Sequence, residues 1–253
     1  MLIKPKRYSE AMGLWVGGLV APVFAMASWM RQARVFHAKA IHFRATTTAA
    51  ENVDQEFTEV ATQLAKNDAL VRFSTGMARR DKAILPDVLG ISIRFGAGDR
   101  ADNYQPRPDA QDLLMITAKS PFTLVRGAIA TDQENFAGNV YHGGAPFEVG
   151  DQPDMLLRLV PLTHVETSGT DRYQNLRQSV DEGDVTFRLE AAKMSLPTKW
   201  YPLVEIRLTS EVLVDERELE FNPFRIGRGI VPQGFIQYMR PVPYALCQYA
   251  RNA

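Results

Sequence analysis

Residues 34–39, near the start of the chain, spell Arg-Val-Phe-His-Ala-Lys, and residues 240–244, near its end, spell Arg-Pro-Val-Pro-Tyr. The first segment opens a run, residues 34–46, whose side chains alternate between two faces, so it predicts a β-strand. We expect one face to carry His37, Lys39, Ile41 and Phe43, and the other Phe36, Ala38, Ala40 and His42.

The two segments each place an arginine close to a residue with useful acid–base chemistry. A tyrosine phenolate is a protein ligand of haem iron, and its pKa is about 10 when unperturbed. Arg240 supplies a cation that keeps the phenolate of Tyr244 ionised. On the opposite face, His37 has the right side chain to carry a proton between two oxygens. The pair is compatible with the two faces of a haem, but Arg-x-x-x-Tyr is a common pattern and the spacing alone does not carry this interpretation.

Both segments resemble those of the haem catalases. Residues 34–39 are similar to the family's Arg-Val-Val-His-Ala-Lys segment, whose histidine is the distal catalytic residue. Residues 71–75 match its Val-Arg-Phe-Ser-Thr strand, whose serine supports that histidine, and residues 240–244 match its Arg-x-x-x-Tyr motif. Arg251 falls where a propionate-binding arginine belongs. Shorter similarities, in the same chain order, are found at residues 86–91, Asp112-Leu113-Leu114 and Phe221-Asn222-Pro223.

The resemblance implies an α+β fold: an antiparallel β-barrel of catalase type with flanking helices. It divides the chain into an N-terminal apolar helical segment, residues 1–33, and a haem-binding barrel domain with a C-terminal proximal helix, residues 34–253. The implied cofactor is haem b. The implied catalytic residues are His37, Ser74 and Thr117. The implied haem-binding residues are Arg34, Arg72, Arg240, Tyr244 and Arg251, with Tyr244 as the iron ligand.

Besides Phe36, which replaces a smaller valine beside the distal histidine, the chain departs from the family pattern at two places. Thr117 stands at or near the position of the distal asparagine, and a threonine hydroxyl has one donor where an amide has two. Pro241 and Pro243 flank Val242 inside the proximal motif. Proline is tolerated in the first turn of a helix, so Arg240 is expected at the helix cap, although Pro243 disfavours helical geometry at Val242.

The remaining sequence predicts mainly strands separated by glycine- and proline-rich turns. A short amphipathic helix is expected over residues 51–66, because apolar residues recur there at helical spacing. Residues 118–150 are expected to form loops, and His42, His142 and His164 to be structural or exposed. The predicted strands are 69–75, 88–95, 111–117, 153–165, 183–194 and 203–214.

Composition bounds the possible functions. The 253 residues suffice for one large domain, and 29 basic and 29 acidic side chains cancel, so nucleic acid is not an expected partner. One cysteine excludes an intrachain disulfide. Catalases are generally longer, so the chain resembles a minimal catalase core.

Residues 11–30 carry no charge, and basic residues flank them on both sides. This stretch is long enough to span a membrane, and its start also mimics a signal peptide. Three interpretations stay open: a helix packed on the barrel or in a subunit interface, a membrane attachment, and a cleaved leader. The expected location is the cytoplasm, with membrane association through residues 11–30, or the periplasm for a leader.

The resemblance implies haem-dependent catalase or peroxidase chemistry on hydrogen peroxide or organic hydroperoxides, in a homo-oligomer. Two alternatives remain. The same distal histidine and proximal tyrosine occur in catalase-like allene oxide synthases, which rearrange fatty acid hydroperoxides. A haem-binding protein without enzymatic activity is the other.

Overall fold

The computed structural model describes residues 4–31, 40–66, 68–76, 86–97, 106–164, 169, 171–183, 185–216, 218–243 and 246. Its main feature is an antiparallel sheet of ten strands. The strands are β1 Ala40–Ala49, β2 Ala69–Thr75, β3 Leu89–Phe95, β4 Gln111–Ile116, β5 Tyr141–His142, β6 Phe147–Val149, β7 Gln152–Pro161, β8 Thr186–Lys193, β9 Tyr201–Glu211 and β10 Ile230–Pro232.

Eight of these strands close into a barrel. The order around the ring is β1-β2-β3-β4-β5-β7-β8-β9, and β9 returns to pair with β1. The short strands β6 and β10 extend the sheet from β7. The predicted antiparallel barrel is therefore confirmed.

The barrel interior is filled by apolar and aromatic side chains. Phe73, on β2, lies at its centre, with its ring centroid 5.6 Å from that of Phe136 and 5.9 Å from that of Phe187. The rings of Phe43 and Tyr141 lie 6.3 Å away on other sides. An eight-stranded barrel is just wide enough for side chains to fill it, so the interior is a packed core.

The helices whose bounds lie within the described residues flank the barrel: α1 Tyr8–Arg31, α2 Thr58–Leu64, α3 Leu124–Ala130, α4 Arg172–Asp181 and α5 Gly234–Tyr238. The helix expected over 51–66 is shorter than predicted, because its first turn, Gln55–Phe57, is a 3-10 helix. Its apolar face is buried as expected, with Phe57, Val60, Ala61 and Leu64 in the core.

The prediction of loops throughout residues 118–150 is wrong. This span contains α3 and the two short strands β5 and β6. Strands β5 and β6 have only two and three residues, which is too few for alternation to be visible in the sequence.

Helix α1 packs on α5, which agrees with the packed-helix interpretation of residues 11–30. A Cβ atom at Gly13 would overlap the carbonyl oxygen of Phe235, and one at Gly17 would overlap that of Met239. The two glycines thus let the helix backbones touch. Within the described ranges, no helix is both long and apolar enough to cross a bilayer. The division at residue 33 stays a prediction.

Candidate functional site

The outward faces of β1 to β4, here called the outer wall, carry polar and charged side chains that are nevertheless buried. Side chains alternate along β2, so Val71 and Phe73 point into the barrel core and Arg72 and Ser74 point to the outer wall. His42 lies directly opposite Arg72 in the register of β1 and β2. Ile41 and Phe43 lie in the core, so the alternation predicted for β1 is confirmed over the described residues.

An ion-pair cluster joins the outer wall to the C-terminal part of the chain. Arg94 and Asp112 face each other on β3 and β4, with the Nε and Nη2 atoms of Arg94 2.9 and 3.2 Å from the carboxylate oxygens. Asp112 also accepts a hydrogen bond from the backbone N–H of Asn222 at 2.8 Å and one from Arg225. The guanidinium of Arg94 lies 5.0 Å from the ring centre of Phe221. Two segments that resemble catalase motifs, 110 residues apart, therefore meet.

Arg72, predicted to bind a propionate, holds a carboxylate of this chain. Its Nε and Nη2 atoms donate to the two carboxylate oxygens of Glu216 at 2.9 and 3.2 Å. The Nε2 atom of His42 lies 3.0 Å from the same carboxylate. Arg72 is only 1% exposed, and a buried charge requires a partner of opposite sign. The donor fork of Arg72 thus fits a carboxylate, and its role at a propionate stays a prediction.

Ser74 lies where β1 begins. It is buried, it pairs in register with Ala40 and Gly90, and its Oγ atom is 3.4 Å from the carbonyl oxygen of Gly90. Ala40 is three residues after His37 in the sequence. The serine therefore sits at the end of the wall at which β1 begins, and its support of His37 stays a prediction.

Thr117 follows β4 at the same end of the wall as Ser74. Ser74 pairs with Gly90 and Gly90 with Ile116, so Thr117 is two strands away, about 10 Å by ordinary strand spacing. Its hydroxyl accepts a hydrogen bond from the backbone N–H of Leu89 at 3.1 Å and lies 2.7 Å from the hydroxyl of Thr131.

The hydroxyl of Thr117 is hydrogen-bonded within the protein. The Thr131 hydroxyl, 2.7 Å away, donates either to the Oγ1 atom of Thr117 or to the carbonyl oxygen of Gly127, also at 2.7 Å. The Oγ1 atom of Thr117 thus accepts from Leu89 and is in contact with Thr131. A peroxide held by Thr117 would have to replace that contact, and the catalytic role of Thr117 stays a prediction.

Arg240 follows α5, and its Nη1 atom donates to the Oε1 atom of Gln237 at 2.9 Å. Residues 241–243 are helical, so both prolines lie in the first turn of a helix and Arg240 comes just before it. The sequence-based expectation that Arg240 caps this helix agrees with the backbone. Helical geometry holds at Val242 despite Pro243.

Tyr238 is a second tyrosine close to the proximal motif. Burial, together with the nearby carboxylates of Glu10 and Glu148, raises its pKa to about 12. Its ring packs edge-on against Phe224, with centroids 5.2 Å apart. At neutral pH Tyr238 is therefore a neutral phenol, unlike a phenolate ligand.

The other predicted site residues, Arg34, His37, Tyr244 and Arg251, lie outside the described residues. Their roles stay predictions. Of the three other histidines, His42 is buried beside Glu216, His142 is half-buried, and His164 is exposed, as expected. Glu216 was not anticipated, because nothing local in the sequence points from residue 216 to Arg72, 144 residues earlier.

Together these features define a class: a closed, eight-stranded antiparallel barrel with a packed interior and a charged outer wall, covered by the C-terminal part of the chain. Comparison with solved structures identifies the fold more closely. A structure described as that of a bacterial catalase matches with a TM-score of 0.57 and 13% sequence identity. The chain has a catalase-like fold.

That match covers 89% of this chain and 59% of the catalase chain, so the protein spans little more than half the length of that catalase. No protein-family model matches the sequence. No curated protein matches it either.

Proposed function

We propose that this protein binds haem b on the outer wall of its barrel and acts on hydroperoxides. The observation that carries the proposal is the contact between Asp112 and the backbone N–H of Asn222. Both residues belong to segments that resemble the catalases, and the fold brings them together across 110 residues. Because side chains fill the barrel interior, we assign the proposed cofactor to the outer wall.

Each proposed site residue has its own role in this function. Tyr244, kept ionised by Arg240, ligates the iron, and Arg34, Arg72 and Arg251 bind the propionates. His37 takes a proton from one peroxide oxygen and returns it to the other, while Ser74 holds its orientation. This role requires the chain to leave the alternation of β1 between residues 37 and 40, because unbroken alternation would put His37 on the core face with Ile41 and Phe43. When bound, haem supplies the iron centre at which the O–O bond is cleaved.

A haem-binding protein without peroxide turnover is the second candidate, and one observation favours it. The hydroxyl of Thr117, proposed to orient the peroxide, is already hydrogen-bonded to Thr131. This hydroxyl therefore needs no substrate to be satisfied. Peroxide turnover separates the two candidates.

The test of haem ligation is the absorption spectrum of the full chain after reconstitution with haemin. We expect about one haem per chain, and Tyr244→Phe should remove the phenolate features of the ferric spectrum. Tyr238→Phe is the matched control, because its high pKa keeps it neutral, and it should leave the spectrum unchanged. An unchanged spectrum in Tyr244→Phe excludes Tyr244 as the ligand.

The test of reaction type is rapid mixing of the haem-loaded protein with hydrogen peroxide. His37→Ala should slow the first spectral change by about 10²–10⁴-fold, the usual contribution of a positioned acid–base group. The control is His164→Ala, at an exposed position. Haem binding without any reaction with peroxide in the unmodified protein supports the second candidate.

The replacement of asparagine by Thr117 should favour peroxidation of small organic donors over dismutation. Dismutation needs a second peroxide to be oriented, and one hydroxyl orients it less well than an amide. Thr117→Asn should raise the ratio of oxygen evolution to donor oxidation. Oxygen evolution by the unmodified protein at rates typical of full-length catalases would contradict the peroxidase preference and leave the haem assignment intact.

A further inference from the structure

Helix α1 has two faces that reverse the usual arrangement of a surface helix. The face toward α5 carries small residues, and the face toward solvent carries large apolar ones. The inward residues are Glu10, Gly13, Gly17 and Ala21. The outward residues, here called the apolar stripe, are Tyr8, Met12, Trp15 and Leu19.

The apolar stripe lies within a narrow sector of the helix surface. Its members are spaced by four, three and four residues, which places them one above another on a helix with 3.6 residues per turn. The stripe is about 16 Å long. Its side chains are 86, 53, 76 and 69% exposed, in chain order, with the rest of the chain in place.

The inward face holds α1 on the protein without help from the stripe. Gly13 and Gly17 let its backbone contact that of α5. The buried carboxylate of Glu10 accepts hydrogen bonds from the backbone N–H groups of Gly234, at 3.1 Å, and of Lys6, at 2.7 Å. Because this face is fixed to α5, the stripe is the part of residues 8–21 that is most open to a partner.

The charges around the stripe indicate the partner. Residues 4–31 contain four basic residues and one acidic residue, Glu10, which is buried. The basic residues lie at both ends of the helix: Lys4, Lys6 and Arg7 before it and Arg31 at its last position. Lys6 and Arg7 pair with Glu148 and Asp154 on the barrel domain.

A second copy of the chain fits this charge pattern poorly. Glu148 and Asp154 offset Lys6 and Arg7, which leaves Lys4 at one end of the helix and Arg31 at the other. Two α1 helices side by side would therefore bring like charges together in either orientation. An anionic bilayer surface complements both ends at once. Tyrosine and tryptophan also prefer the membrane–water interface, and Tyr8 and Trp15 belong to the stripe.

We propose that α1 docks this protein on the surface of an anionic lipid bilayer, with the apolar stripe inserted among the headgroups. The helix lies in the plane of the interface, as amphipathic membrane-binding helices do. This inference does not depend on haem binding or on peroxide chemistry.

The experiment is sedimentation of the full chain with vesicles of phosphatidylcholine alone or with about a third phosphatidylglycerol. We expect binding to the anionic vesicles that weakens as salt is raised, because salt screens the charges. The double variant Trp15→Gln, Leu19→Gln should lower the partition coefficient by about 10- to 100-fold, since it removes two large apolar side chains.

The matched control is Val125→Gln, Ile129→Gln on α3, whose side chains are 77 and 71% exposed. It should bind as the unmodified protein does, and both double variants should keep its thermal unfolding midpoint. Equal loss of binding in the two double variants would overturn the proposal. So would failure of the unmodified protein to bind anionic vesicles, and so would a dimer in light scattering that the Trp15 and Leu19 variant dissociates.

Discussion

The two sides of the same barrel wall are both buried, but they are stabilised in opposite ways. The inner side of β2 places Phe73 among four other aromatic rings, where packing alone satisfies every atom. The outer side places Arg72 against Glu216, and the neighbouring strands place Arg94 against Asp112. A charged pair can exchange one carboxylate for another, whereas a packed ring has no such alternative. The outer wall is therefore the side suited to a ligand.

Asp112→Ala should lower the free energy of unfolding more than any other variant proposed here. The loss should come from the outer wall. Arg94, fully buried, and Arg225 would lose their shared carboxylate. Breaking a buried ion pair costs about 3–5 kcal/mol of the free energy of unfolding. Chemical denaturation measures this, with Glu211→Ala, from the surface pair with Arg177, as the control at about 0–1 kcal/mol. Equal losses of stability in Asp112→Ala and Glu211→Ala would show that the ion pair of the outer wall is no stronger than a surface pair.

Asp112→Ala should also loosen residues 219–228, because the carboxylate of Asp112 accepts a hydrogen bond from the backbone N–H of Asn222. Hydrogen exchange should rise there before it rises in the barrel interior. Uniformly faster exchange would show that the two sides of the wall unfold together.

Phe73→Leu tests the inner side. It keeps an apolar residue but removes the ring shared with four aromatic neighbours, so we expect a loss of about 1–3 kcal/mol in the free energy of unfolding. Phe122→Leu is the control, since Phe122 is 90% exposed. We expect haem affinity to be unaffected at temperatures where the Phe73 variant is folded. Selective loss of haem binding would place the cofactor inside the barrel.

Glu216→Gln tests whether the outer wall can exchange its carboxylate. The variant keeps the size of the side chain but removes the charge that Arg72 and His42 face, and Glu216 is 31% exposed, so stability should fall by about 1–2 kcal/mol. If Arg72 binds a propionate, haem affinity should rise in this variant, because the competing charge is gone. Unchanged haem affinity would show that Arg72 and Glu216 are purely structural.

His142, on β5 next to the wall, gives the smallest expected effect. Burial, with Lys119 and Arg158 nearby, lowers its pKa to about 4. Between about pH 6.5 and 4 the unfolded chain binds a proton that the folded protein does not, so the free energy of unfolding falls as pH falls through this window. We expect about 1 kcal/mol after solvent screening, and His142→Gln should remove this part of the pH dependence. An identical slope in the variant would contradict the depressed pKa.

The sequence predicted the long strands well, because alternation and family-like motifs coincide in them. Helix α4 was missed although its evidence was local: Asp171 caps it, and Tyr173, Leu176 and Val180 recur on its buried face. The contact between Glu216 and Arg72 was beyond sequence reasoning, since it depends on how a segment after β9 folds back over β2. The site could be predicted only where it resembled known motifs.

The pairing of β1 with β9, which closes the barrel, has a consequence for synthesis of the protein. β1 pairs with β2 soon after it emerges, but its other edge pairs with β9, about 150 residues later. At about 5–20 residues per second, a ribosome needs roughly 10–30 s to supply that partner. During this interval β1 exposes an unpaired edge to other nascent chains, a known route to aggregation. The yield of this protein in cells is therefore expected to depend on chaperones that shield a single strand.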